Sequence, residues 1–154
     1  MKKILLTFVF LMIGLGVFAN EQQEALTFFN SFVNASNNYS ASLLNMYSDD
    51  AKIIRQVVKQ DVKTVNIPFS IDDYRKQMKL SSKIAKLKKY KNDYSNIIVT
   101  KTANGYKIDS MRKPSLSDYK LKSSMVVKKQ PNGKWLIVEE LMQTKEQIFL
   151  KHAK

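Results

Sequence analysis

The chain has no cysteine, four glycines, three prolines and one histidine in 154 residues. Without cysteine no disulfide framework can form, and no lipid-attachment thiol follows the start of the chain. Stability must come from a packed interior, which a domain of about 135 residues can supply. The single histidine, His152, lies near the C-terminus. That argues against a histidine-based metal centre and against a Ser-His dyad. So few glycines leave no Gly-rich phosphate loop. No repeat, low-complexity tract or linker divides the sequence, so one domain is expected, with no cofactor or metal.

Acids are scarce as well: 13 against 26 basic residues, a formal charge of +13. The first residues, MKKILLTFVFLMIGLGVFA, carry Lys2 and Lys3, an apolar run from Ile4 to Val17, and small or modest residues at Val17-Phe18-Ala19. This is the three-part pattern of a secretory leader over residues 1–19, cleaved after Ala19, and it places the protein in the periplasm or outside the cell. A retained anchor is the alternative. It is disfavoured because the run falls short of the ~20 apolar residues a spanning helix needs. Without Lys2 and Lys3, 24 basic residues face 13 acids, leaving +11. Such a field attracts anions over a Debye length of ~8–10 Å. For an exported protein nucleic acid is a poor partner; anionic lipid or an acidic protein is a better one. Only Arg55, Arg75 and Arg112 are arginine. The rest are lysines, hydrated point charges that equally describe a solvated surface.

From Glu21, the residues Ala25, Phe28, Phe29, Phe32, Val33 and Ser36 recur at helical spacing, with Glu21 and Glu24 in the expected first turn. Ser40 caps a short second helix through Leu43, Leu44 and Tyr47, which Ser48-Asp49-Asp50 ends. AKIIRQVVK and VKTVNIP read as strands around a Lys59-Gln60-Asp61 turn. Ser70 is an N-cap, with Asp72 and Asp73 behind it and Phe69 and Tyr74 as staple residues. The helix so started has an inner stripe of Ile71, Tyr74, Met78, Ser81, Ile84 and Leu87. Its opposite stripe is Arg75, Lys76, Lys79, Lys83 and Lys86. Repulsion among these lysines costs only ~0.2–0.5 kcal/mol per pair, so the stripe needs no function, but it is the candidate anion-binding surface.

Strands flank Asn104-Gly105, a hairpin signal. Tyr119, Leu121, Ser123, Met125 and Val127 then alternate toward the core. The last turn sets a register. A two-residue loop would turn Leu136, Val138, Glu140 and Met142 inward. A three-residue loop, Pro131-Asn132-Gly133, turns Trp135, Ile137, Glu139 and Leu141 inward, and is favoured because proline and glycine suit its first and last positions. In either register the other face keeps an apolar row that needs cover, a homodimer through the sheet being one way. Residues 145–154 read as a frayed or disordered tail.

The segments ALTFFNSFVNASNNYSASLLNMYSDDAKIIRQV and NGKWLIVEELM bracket nearly all of residues 20–144, and their order of elements resembles the nuclear-transport-factor-2-like superfamily, which includes SnoaL-like proteins and ketosteroid isomerases. The resemblance implies an α+β fold in which a curved antiparallel sheet wraps N-terminal helices into a cone with an apolar pocket. It does not choose a function. Isomerase-like members keep a carboxylate base in the strand after the acidic turn. Here that stretch reads Ile54, Arg55, Gln56 and Val57, and neither Arg55 nor Gln56 can abstract a proton near neutral pH. Asp49 and Asp50 read as the ordinary turn. A pocket formed in this way would draw on Phe32, Tyr47, Arg55, Tyr74, Met78, Tyr119, Met125 and Glu139, although aromatics at helical spacing are also ordinary core. The sequence therefore suggests a non-enzymatic binding or accessory protein taking a small apolar ligand. Two alternatives stay open: a pocket isomerase or cyclase using Glu139 with a tyrosine, and a basic adaptor for anionic lipid or an acidic partner.

Overall fold

The structure is a computed structural model that describes the backbone of residues 2–152 and the side chains of residues 20–151. The expected leader, 1–19, lies outside the residues with described side chains.

The first helix, α1 (Lys2–Asn37), buries Ala25, Phe29, Phe32 and Ala35, with Phe28 and Val33 packed partly against the same core. Because α1 starts at Lys2, Glu21 and Glu24 do not sit in its first turn. They act as anchors instead: Glu24 accepts from Lys129 Nζ at 2.7 Å and Trp135 Nε1 at 3.2 Å, and Glu21 from Tyr106 Oη at 3.1 Å. The helix ends in a Schellman motif. Ser40 N–H bonds the Ala35 carbonyl and Tyr39 N–H the Ser36 carbonyl, with Tyr39 at φ 56°.

Ser40 does cap the next element, a 3-10 turn over Ala41–Met46, but that turn stops one residue earlier than expected. Tyr47 already belongs to β1 (Tyr47–Val58), so Ser48, Asp49 and Asp50 lie in the strand and not in a helix-ending turn. The strand tolerates them because its pairing is irregular between Tyr47 and Lys52, which leaves this polar stretch out of regular register. β2 (Thr64–Phe69) follows, then α2 (Ile71–Leu87). Ser70 Oγ accepts from Asp73 N–H at 3.1 Å, the expected cap. Phe69 places its ring against Phe149, centroids 5.9 Å apart. The inner stripe of α2 holds only for its first two turns. Tyr74 is buried and Ile71 and Met78 pack on the core, whereas Ile84 and Leu87 are 58% and 85% exposed. α2 ends in a second Schellman motif, with Tyr90 N–H on the Ala85 carbonyl and Lys89 at φ 51°.

The remaining strands are β3 (Asn92–Thr102), β4 (Gly105–Pro114), β5 (Leu121–Lys129) and β6 (Trp135–Thr144). The sheet order is β2-β1-β6-β5-β4-β3, antiparallel except for the parallel β1–β6 pair. Thr102 pairs with Gly105, so the hairpin loop is Ala103-Asn104. Gly105 serves a close approach: at φ 131°, a Cβ would lie 2.2 Å from the Val127 carbonyl oxygen of β5. The sheet curves around the helices, and bulges interrupt β3–β4 and β5–β6.

The last hairpin shows why the register expectation was half right. Gln130 N–H bonds the Lys134 carbonyl at 2.7 Å, which closes the three-residue loop Pro131-Asn132-Gly133, with Gly133 at φ 82°. Ile137 is accordingly buried. Val127 then pairs with Ile137 but Val126 with Glu139, so Val138 is the extra residue of a bulge. Beyond it every side chain changes face. Glu140 and Thr144 are buried, and Glu139 goes to the outer surface. Within the expected tail, Gln147–His152 forms a 3-10 turn, and Gln147 Nε2 donates to the Val58 carbonyl at 3.1 Å.

Candidate functional site

From Ala51 on, β1 alternates, so Ala51, Ile53, Arg55 and Val57 all turn toward the helices. Arg55 is thereby carried into the interior, where a bare guanidinium would be very costly. The β6 bulge supplies its counter-charge. Arg55 Nη1 donates to Glu140 Oε1 at 2.6 Å, with side-chain exposures of 9% and 0%. Tyr47 Oη donates to the other carboxylate oxygen, and Tyr74 Oη lies 3.1 Å from Tyr47 Oη. The Arg55 guanidinium also sits 5.0 Å above the Tyr74 ring centroid. Burial, followed by the negative charge of Glu140, holds the Tyr47 hydroxyl well above its ordinary range; the same two effects push Tyr74 up to about 12. Burial opposes the Arg55 cation, but the negative charge of Glu140 outweighs it and keeps Arg55 charged.

Beside this network lies a cavity of about 400 Å³ between α1, the 3-10 turn, α2 and the sheet. Its α2 wall includes Met78, Ser81, Ser82 and Ala85, spaced for one helical face, with Tyr74 and Lys79 beside them. The large apolar residues of that half, Leu80, Ile84 and Leu87, point elsewhere. Small side chains on the inward face therefore leave the space open. Phe32, Leu43, Leu44 and Met142 supply apolar wall. At the far end stands a second buried arginine, Arg112, in phase with Tyr106, Ile108 and Ser110 on β4. Its Nη1 donates to Asn92 Oδ1 at 2.8 Å and to Tyr90 Oη at 3.2 Å, and Nη2 to the Gln143 carbonyl at 2.9 Å. Asn37 holds Asn92 by two bonds, and Tyr39 Oη donates to the Tyr90 carbonyl at 2.8 Å. The αL residue closing α1 is thus tied to the chain leaving α2.

Of the expected pocket residues, Phe32, Arg55, Tyr74 and Met78 line the cavity. Tyr47 does not: it lies buried behind Tyr74 on Glu140. Met125 is solid core. Tyr119 precedes β5 and borders a separate groove, with Lys145 Nζ 4.8 Å from its ring centroid. Glu139 lies on the outer sheet face with Lys52, Ile54 and Leu141, along a broad groove of about 890 Å³. The isomerase arrangement that needed Glu139 inside therefore has no inward carboxylate at that position. Sequence reasoning turned Glu140 inward only in the register it disfavoured, and it missed Asn92, Tyr90 and Arg112 as site residues. The period-two pattern of β4 was a signal that could have placed Arg112; nothing local marks the bulge that turns Glu140 inward. Lys76, Lys79, Lys83 and Lys86 are exposed as expected, and Lys79 also borders the cavity.

Helices packed against a curved six-stranded sheet form the α+β arrangement of solved structures described as having a cystatin-like fold. An NTF2-like protein of unknown function from Pseudomonas putida superposes at a TM-score of 0.61 with 10% identity, over 81% of this chain and 86% of that one. An NTF2-like protein with a cystatin-like fold from Novosphingobium aromaticivorans gives 0.59 at 9% identity, over 88% of each chain. A further NTF2-like protein of unknown function, from Shewanella oneidensis, gives 0.58 at 11% identity, over 79% of this chain and 98% of that one. No family model and no curated protein matches the sequence. The chain has the NTF2-like fold.

Proposed function

We propose that the chain is an exported, non-enzymatic binding protein that holds a small apolar molecule in the cavity beneath α2. The carrying observation is that cavity, about 400 Å³ in volume, kept open by Ser81, Ser82 and Ala85. Its size falls within the ~300–1,000 Å³ typical of ligand sites. Its wall holds no Asp, Glu or His, and the nearby Glu140 is committed to Arg55 and Tyr47. Export is supported by the basic start and apolar run of the first 19 residues. Native mass spectrometry of freshly purified protein tests the reading. A mass above the bare chain, lost on denaturation and absent from Ala85→Phe, is expected. A bare monomer in both would count against it, and a dimer would direct attention to the outer sheet face.

A second reading has its own observation. Leu80, Ile84 and Leu87 are exposed at i, i+4 and i+7 on α2, beside Lys76, Lys83 and Lys86. An apolar stripe flanked by lysines suits an anionic lipid surface. Converting the three lysines to glutamate should weaken co-sedimentation with phosphatidylglycerol vesicles. Equal, salt-insensitive binding would remove the idea.

A further inference from the structure

The cavity wall carries three cationic side chains, Arg55, Lys79 and Arg112, and no carboxylate. Arg55 is neutralised by Glu140. Arg112 is not. It is 4% exposed, its hydrogen bonds all go to uncharged acceptors, and its Nε is buried without a partner. Among the described residues no carboxylate forms an ion pair with it; Glu146 borders the groove on its other side without reaching it. Two arginines of like burial in one interior are thus treated differently. A buried guanidinium that lacks its own counter-ion is stable in company with an anion that arrives from outside.

We propose that the cavity is built for an amphiphile bearing a single carboxylate, its head at the Arg112 end and its apolar body along Phe32, Leu43, Leu44, Met78 and Met142. The proposal rests on the binding reading above and names the ligand class. One uncompensated buried cation matches one negative charge, which favours a monocarboxylate over a phosphate dianion. A carboxylate also fits the planar donor edge of a guanidinium. Lys79, exposed at the cavity border, adds positive field where such a ligand enters.

Calorimetric titration of the purified chain with decanoate and with decan-1-ol tests this. The two probes share an apolar chain and differ in charge. Decanoate should bind about 10- to 100-fold tighter, the range of a charged hydrogen bond. Arg112→Met should bring decanoate to the level of the alcohol measured on the same variant. Equal affinity of both probes for the unmutated protein would overturn the carboxylate site while leaving an apolar binding cavity. A decanoate preference that survives Arg112→Met would overturn Arg112 as its source. Failure of both probes, with native spectra showing an empty chain, would overturn the binding reading and this inference with it. If Arg112→Met does not fold, Arg112→Lys keeps the charge without the fork, and a decanoate preference unchanged in that variant would refute recognition by the guanidinium edge.

Discussion

Removing one partner of the Arg55–Glu140 pair is the sharpest test of the interior. The two groups are 2.6 Å apart and almost fully enclosed. In Arg55→Met the Glu140 carboxylate keeps, among the described residues, the Tyr47 hydroxyl as its one donor. Breaking a buried pair from one side costs about 3–5 kcal/mol, because the surviving charge is stranded. Domains of this size hold about 5–15 kcal/mol in all, so the variant should lie near the limit of folding. Its thermal midpoint should fall by roughly 10–20 °C. Replacing both partners, Arg55→Met with Glu140→Gln, removes the stranded charge. The double variant should recover much of the loss, giving a coupling energy of about 2–3 kcal/mol in a double-mutant cycle followed by urea denaturation. Single variants that each cost under about 1 kcal/mol, with additive effects, would refute the reasoning, since additivity means the groups do not share a desolvated contact.

Ultraviolet titration of the seven tyrosines should leave Tyr47, Tyr74 and Tyr94 protonated past the ordinary range near pH 10, since burial raises all three. Each folded value is raised, so this contribution to stability is complete below about pH 10; for Tyr74 it is lost as pH climbs toward about 12. Tyrosines that titrate together near pH 10 in the still-folded protein would contradict this. Gly105→Ala should cost more than about 2 kcal/mol by urea denaturation, because its Cβ would meet the Val127 carbonyl oxygen at 2.2 Å on a φ of 131°. Lys89→Gly, at an exposed left-handed position, should raise stability by about 0.5–1 kcal/mol in the same assay.

The architecture was legible because it is written in periodicity and caps. Ala25, Phe29 and Phe32 mark α1, Ser70 with Asp73 marks the start of α2, and Pro131-Asn132-Gly133 sets the last hairpin. The site was less legible because it depends on interruptions of those periods. A single extra residue at Val138 exchanges Glu139 for Glu140, a swap no alternation rule can foresee. On α2, the expected stripe placed Ser81 correctly but ran on to Ile84 and Leu87, which are exposed. The cavity wall continues instead through the small Ser82 and Ala85. A hydrophobic pattern identifies what a filled core needs, and a cavity is where that need is suspended.

The register also explains why the interior is left with one unmatched arginine. Met142 on β6, Ser123 on β5 and Ser110 on β4 stand in one row across the sheet. Glu140 lies two residues to one side of that row, and Arg112 two residues to the other. At about 3.3 Å per residue and 4.8 Å per strand, their Cα atoms are separated by roughly 16 Å, beyond the joint reach of the two side chains at a useful angle. Arg55, on the neighbouring strand and opposite Met142, is within easy reach. The bulge at Val138 therefore brings in one carboxylate and delivers it to one arginine only. Shifting the bulge two residues toward the C-terminus would turn Glu139 inward in place of Glu140 and still bring in only one acid, because Met142 and Thr144 are the next inward positions. The positive charge at Arg112 is thus a consequence of strand register as well as composition, and compensating it from within would require an acid at a position such as Leu121 or Thr144, which this sequence fills with uncharged residues.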